Sequence, residues 1–207
     1  MTRRVQLLLG GLLVLAACGP GTKITRTWTG RDTTLGLKPG DLVAVGVMTT
    51  NEREGKAGEE ILATEMRARG YRTVEATSLL RWPALPDIPG ALAAFRKSGA
   101  TAAFVIRPLA VDHQPTSLPP TAMFTPMSPV GEESPSSRGS GNYVPGYVRT
   151  DTVVRLSAMV FDLSDGRLVW AGQSETMNPD SLDHLISSLV RAAESEMARS
   201  GVKLATR

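Results

Sequence analysis

Residues 42–48, LVAVGVM, decide the fold. The run is apolar throughout, rich in valine, and follows the turn-forming Pro39-Gly40-Asp41. A stretch this short and this β-branched has the pattern of a strand covered on both faces, as in parallel sheets with helices on either side. A polar segment over 49–56 comes next. The spacing then predicts a helix over 57–69, with Ile61, Leu62 and Met66 as its apolar stripe and Gly70 as its stop. A second strand is expected at 71–76. Trp82, Pro83, Pro86 and Pro89 mark an irregular connection, and 90–98 reads as a short helix with Leu92 and Phe95 inward and Gly99 at its end. AAFVI at 102–106 is another fully buried strand that runs on to about residue 112.

The composition changes at residue 115. Residues 115–147 hold seven of the fourteen prolines together with many serines and glycines. They are expected to be a solvent-exposed insertion, dispensable for folding and available for partner contact. From 148 regular structure resumes. Val154, Leu156, Ala158 and Val160 alternate with less apolar neighbours, as in a strand with one face better buried. Asp165-Gly166 signals a hairpin turn, with the return strand at 168–174. Asn178 is expected to cap a last helix with Pro179 in its first turn. Leu182, Leu185, Ile186, Leu189, Val190, Ala193 and Met197 form the inner face of that helix, the strongest periodic signal in the chain.

The fold class is therefore α/β, in the order β-α-β-α-β, a long loop, then β-β-α. One mixed sheet of about five strands is expected, flanked by three helices. Right-handed crossovers place the second strand on one side of the first and the third on the other, so the two early helices cover opposite faces. The late hairpin extends the sheet in antiparallel fashion.

Residues 1–18, MTRRVQLLLGGLLVLAAC, say where the protein lives. Arg3 and Arg4 precede an apolar stretch too short to span a bilayer, which is the form of a secretory signal. The ending Leu15-Ala16-Ala17-Cys18 resembles the lipobox of bacterial lipoproteins. The resemblance implies cleavage between Ala17 and Cys18 and lipid on Cys18, the only cysteine. Removal of 1–17 leaves a chain with 21 basic and 20 acidic residues, which gives no electrostatic case for nucleic acid. Residues 18–40 are expected to be the lipidated N-terminus and a tether, within which 24–28 can form a short edge strand. Residues 41–207 form the single domain. Trp28 is read as an anchor on the domain edge. Gly19 stands where proteobacterial lipoproteins kept in the inner membrane often have Asp, so by analogy the outer membrane is favoured.

Little in the sequence points to chemistry. Gly55-Lys56 before a helix invites a phosphate-loop reading. Thr50 and Ala57 break that pattern, and Glu52, Glu54, Glu59 and Glu60 surround the lysine. Glu59-Glu60 is read as favourable charge at a helix N-terminus. The two histidines, His113 and His184, make no metal constellation, so neither metal nor cofactor is expected. Asp112 with His113, at the base of the insertion, is the one pair that could belong to a catalytic site. Trp170 is read as packing on the sheet rather than stacking on a sugar.

VAVGVM, the segment EEILATEMRARGYRTVEATSLL and the late segment VVRLSAMVFDLSDGRLVWAGQSETMNP together resemble a group of bacterial envelope lipoproteins. Their α/β domain is like that of the curli-secretion channel lipoprotein and the N-terminal domain of TolB. The resemblance spans residues 40–112 and 148–202, with DLSDGRLVWAGQSET as its most recognisable piece. Residues 115–147 lack the alternation of the membrane hairpins that pore-forming members carry. The expected function is a non-enzymatic binding or assembly module. It would be held to the membrane through Cys18, with an envelope protein or cell-wall component as partner and an oligomer possible. The alternatives are a periplasmic cell-wall hydrolase with its site at Asp112 and His113, and a subunit of a curli-type secretion assembly.

Overall fold

A computed structural model describes residues 21–81, 87–123 and 142–202. The chain order is β1 (Thr22–Thr29), β2 (Leu42–Val47), α1 (Glu52–Ala68), β3 (Arg72–Glu75), α2 (Ala76–Leu79), α3 (Ile88–Lys97), β4 (Ala102–Leu118), β5 (Thr121–Met123), β6 (Asn142–Val144), β7 (Tyr147–Asp162), β8 (Leu168–Met177) and α4 (Leu182–Arg199). Six strands make one mixed sheet in the order β1-β8-β7-β4-β2-β3, and β5 pairs with β6 separately. β2 is parallel to β3 and β4; the pairs β4–β7, β7–β8 and β8–β1 are antiparallel. As expected from the crossovers, β3 and β4 flank β2 on opposite sides.

β2 is buried along five of its six residues because both of its faces are covered. Val43, Val45 and Val47 pack in one core with α1 and α4, through Leu62, Met66, Ile186 and Leu189. Ala44 packs in a second core with Phe95 of α3. α1 approaches β2 closely through Gly58: a Cβ there would lie 3.1 Å from the Val47 side chain and 3.4 Å from that of Ile186. Trp170 is fully buried in the α1/α4 core, as the packing reading expects. Gly172 makes room for its ring, since a Cβ at 172 would lie 2.3 Å from Trp170 Cη2.

Several expectations are corrected. The edge strand expected at 24–28 is present and longer, since β1 spans eight residues paired with β8, and Leu35 and Leu37, in the segment expected as tether, are buried. The physical reason is its alternation: Thr22 and Ile24 turn to the α4 side, where Ile24 packs on the α1/α4 core, while Lys23 and Arg26 are exposed on the other face. Trp28 stays half exposed on the other face. The ends of the 115–147 insertion are strand: β4 runs on to Leu118, β7 begins at Tyr147, and those two residues are paired. Residues 124–141 lie outside the described residues. α1 begins at Glu52 rather than 57, because the Asn51 side chain accepts the Arg53 and Glu54 N–H groups and so starts the helix inside the polar segment. α4 is capped by Ser181, not Asn178. The sheet has six strands instead of about five, and α2 adds a helical turn.

Leu189 has no exposed surface, so Leu189→Ala is expected to destabilise the domain by about 2–5 kcal/mol. Gly172→Ala, which forces the Trp170 ring aside, should cost about 1–3 kcal/mol. Denaturant unfolding checks both, and a midpoint unchanged by Leu189→Ala would contradict the packing of α4.

Candidate functional site

The sheet is not closed off evenly. β2 leaves β4 at Val47↔Ile106, β1 begins at Thr22↔Thr176, and β8 ends at Met177↔Val153. β4 and β7 continue as a pair to Leu118↔Tyr147. Past Val153 they form a two-stranded arm that, among the described residues, has no strand on either side in the main sheet.

A two-stranded ribbon is marginal by itself in water. At the base of this one sits a polar knot. The buried Asp151 carboxylate accepts hydrogen bonds from Thr116 Oγ1 at 2.9 Å and Asn178 Nδ2 at 2.7 Å, and pairs with Arg149 at 2.9 Å. Asn178 has φ of 48°, a left-handed conformation that asparagine tolerates. Its backbone N–H donates to Thr152 O at 2.7 Å, and its Oδ1 accepts the Thr152 N–H at 2.8 Å. Asn178 thus extends the pairing of β8 to β7 by one step with its side chain. The hydrogen bond from Asn178, then those from Thr116 and Arg149, hold the Asp151 carboxyl below its ordinary range. Sequence reasoning gave Asn178 to the helix cap. The Asn-Pro pair was the available signal, since it also fits a turn residue that can adopt a left-handed conformation.

The structure separates Asp112 and His113. As neighbours on a strand they point to opposite faces. Asp112 pairs with Arg155, which also pairs with Glu175 at 2.7 Å. His113 is exposed on the other face, where its Nδ1 lies 3.2 Å from Thr152 Oγ1. His184, in the first turn of α4, pairs with Asp180 at 3.1 Å. Among the described residues no three of His, Cys, Asp and Glu converge to hold a metal ion. Lys56 pairs with Glu52 at 2.7 Å on the exposed side of α1, which is not a phosphate cradle. Ala17 and Cys18 lie outside the described residues.

A cleft of about 460 Å³ opens at the opposite end of the sheet, lined in part by Thr34, Arg96, Asp162 and Ser164. Its acid is already engaged. Asp162 accepts from Ser164 N and Oγ and pairs with Arg167 at 2.9 Å. Burial raises its pKa, but these donors outweigh burial and leave it lowered.

Glu59, expected as charge at a helix N-terminus, lies instead about two turns into α1, because the helix starts at Glu52. Glu59 has no exposed surface. Its Oε2 accepts Thr77 N–H at 2.9 Å and Thr77 Oγ1 at 2.8 Å, and its Oε1 accepts Val47 N–H at 3.3 Å. It ties α1 to the end of β2 and the start of α2. Burial pushes its carboxyl above the usual range, against the pull of the Thr77 and Val47 donors.

No family model matches the chain, and no curated protein matches it. Among solved structures it is similar to the PelC dodecamer from Paraburkholderia phytofirmans, with 19% identity, 85% of this chain and 96% of that one covered, and a TM-score of 0.45. It is similar to the LpoB C-terminal domain from Salmonella enterica, with 12% identity, 68% and 84% coverage, and a TM-score of 0.39. It is also similar to lipoprotein GNA1162 from Neisseria meningitidis, with 14% identity, 78% and 99% coverage, and a TM-score of 0.38.

Glu59 generates a pH prediction. A carboxyl whose pKa is raised on folding favours the folded state most at acid pH. That contribution is lost as pH rises from the ordinary glutamate value through the raised one. Glu59→Gln removes the titration and turns an amide N–H toward one of the backbone donors, so the variant is less stable throughout. The gap in thermal midpoint between wild type and Glu59→Gln should be widest at the acid end of that window and narrow as pH rises. A gap that widens with pH would contradict the assignment.

Proposed function

We propose that the chain is a lipid-anchored protein of the bacterial envelope, with its α/β domain facing the periplasm and acting by binding or assembly rather than by catalysis. The carrying observation is Leu15-Ala16-Ala17-Cys18 behind a short apolar segment, only three residues before the first strand of the domain. The polar clusters favour the non-enzymatic reading. Asp112, Asp151, Asp162 and Glu59 each meet partners from the fold itself, and Asp112 and His113 face opposite sides of β4. The partner would be an envelope protein or a cell-wall component. Gly19 after the cysteine favours the outer membrane.

The test is metabolic labelling with radioactive palmitate in a bacterial host, followed by separation of membranes. Wild type should carry label and sediment with the membranes. Cys18→Ser should keep its signal segment and lose the label. Label retained by the serine variant would overturn the proposal.

A further inference from the structure

Cys18 is joined to Thr22 by Gly19, Pro20 and Gly21 alone. Four residue steps of even fully extended chain reach about 14 Å. Because Thr22 is fixed in the sheet by its pairing with Thr176, any lipid on Cys18 meets the membrane within that reach of one particular end of the sheet.

That end is the one from which the arm projects. Thr22, Thr176, Val154 and Val111 form one row across β1, β8, β7 and β4. At roughly 4.8 Å per strand, Val111 lies about 14 Å along the row from Thr22. α4 also projects past the row. Ser188 Oγ lies 2.7 Å from Thr22 Oγ1, and Leu182 is six residues nearer the helix start, about 9 Å further along the axis.

The same end gathers six of the eight large exposed apolar side chains of the described residues, Trp28 and Leu79 being the other two. Among the described residues, Leu109, Val111, Tyr147, Val148, Met177 and Leu182 all lie within two residues of this row or beyond it, and each is more than a third exposed. The two faces of the arm differ in charge. Val154 packs on the α1/α4 core, so its partner Val111 shares that face, followed by His113, Pro115 and Ser117 opposite Thr152, Thr150 and Val148. This face of the arm carries no Asp, Glu, Lys or Arg, and Val111 and Val148 on it are 58% and 66% exposed. The charges, Asp112, Arg149, Asp151 and Arg155, are on the other face and are paired with one another or with Glu175.

We propose that this uncharged face of the arm, with Leu182 of α4 beside it, is a lipid-contact surface that lies in the interface of the membrane anchoring Cys18. The inference rests on the lipidation of Cys18. It sets which end of the domain meets the bilayer: the arm end of the ladder is at the membrane, with the charged face of the arm outward, and the Asp162 end is the more distant one. The contact is apolar, since this face of the arm carries no charged side chain, so it should be insensitive to salt.

The experiment uses the full lipidated chain in phosphatidylcholine vesicles. With Cys18 acylated, a single introduced cysteine is the only free thiol. An environment-sensitive fluorophore is placed at Val148→Cys or, as a second site on the same face, at its strand partner Ser117→Cys. Controls are Gln114→Cys on the charged face and Ser164→Cys at the far end. The labels at 148 and 117 should be quenched by iodide at least about fivefold less than the label at 164, and should be quenched by brominated lipid. The labels at 114 and 164 should respond to iodide alone. The mass of the same preparations reports the acyl groups. An acylated protein whose label at 148 and 117 is as open to iodide as that at 164 overturns this inference and leaves the anchor intact. A preparation with no acyl mass on Cys18 overturns both. Shielding in native envelopes but not in protein-free lipid vesicles would assign the face to a protein partner and overturn the lipid assignment.

Discussion

The structure depends on the long antiparallel ladder between β4 and β7. It runs from Ala102↔Asp162 to Leu118↔Tyr147 with one register shift, at Pro108/Ala110. On one side of it lies a parallel unit, β3-β2-β4, built from local crossovers. On the other lies an antiparallel unit, β7-β8-β1. The ladder joins them into one surface on which α1 and α4 share a core. Because it is longer than any strand beside it, it also creates the arm. One pairing therefore accounts for both the body of the domain and its projection.

The body was legible in the sequence because burial writes itself in hydrophobic periodicity. LVAVGV and AAFVI read as strands because both of their faces are covered, and α4 reads as a helix because Leu185, Ile186, Leu189 and Ala193 repeat at its period. The topology followed from the handedness of the crossovers. What was not legible was structure stabilised by pairing rather than by burial. β1 showed only as a short edge strand over 24–28 inside an expected tether, because an edge with one face on the core is rich in threonine and charge. The arm was hidden by its prolines. Pro115 sits in β4 where no strand of the main sheet flanks it on the outer side, so its missing N–H costs no ladder bond there.

The site residues divide in the same way. Asp112 and His113 attracted notice because they are adjacent in sequence, yet adjacency on a strand puts side chains on opposite faces. Asn178 and Glu59 matter through long-range partners, Thr152 and Asp151 for one and Thr77 and Val47 for the other, which no local pattern announces. Both brace junctions: Asn178 at the base of the arm, and Glu59 where α1, α2 and β2 meet. The polar groups at these places stiffen the scaffold, and most of the large exposed apolar groups of the described residues are left at the arm end of the sheet.

What matters most is that β1 is an integral strand, because that leaves only three residues between the sheet and Cys18, the proposed site of the lipid. Hydrogen exchange of the native protein tests this directly. Those amides of 22–29 that bond to β8 should be protected to the same order as the amides of β8 itself. Exchange across 22–29 at the rate of free chain would contradict the account and make this segment a flexible tether ahead of the fold.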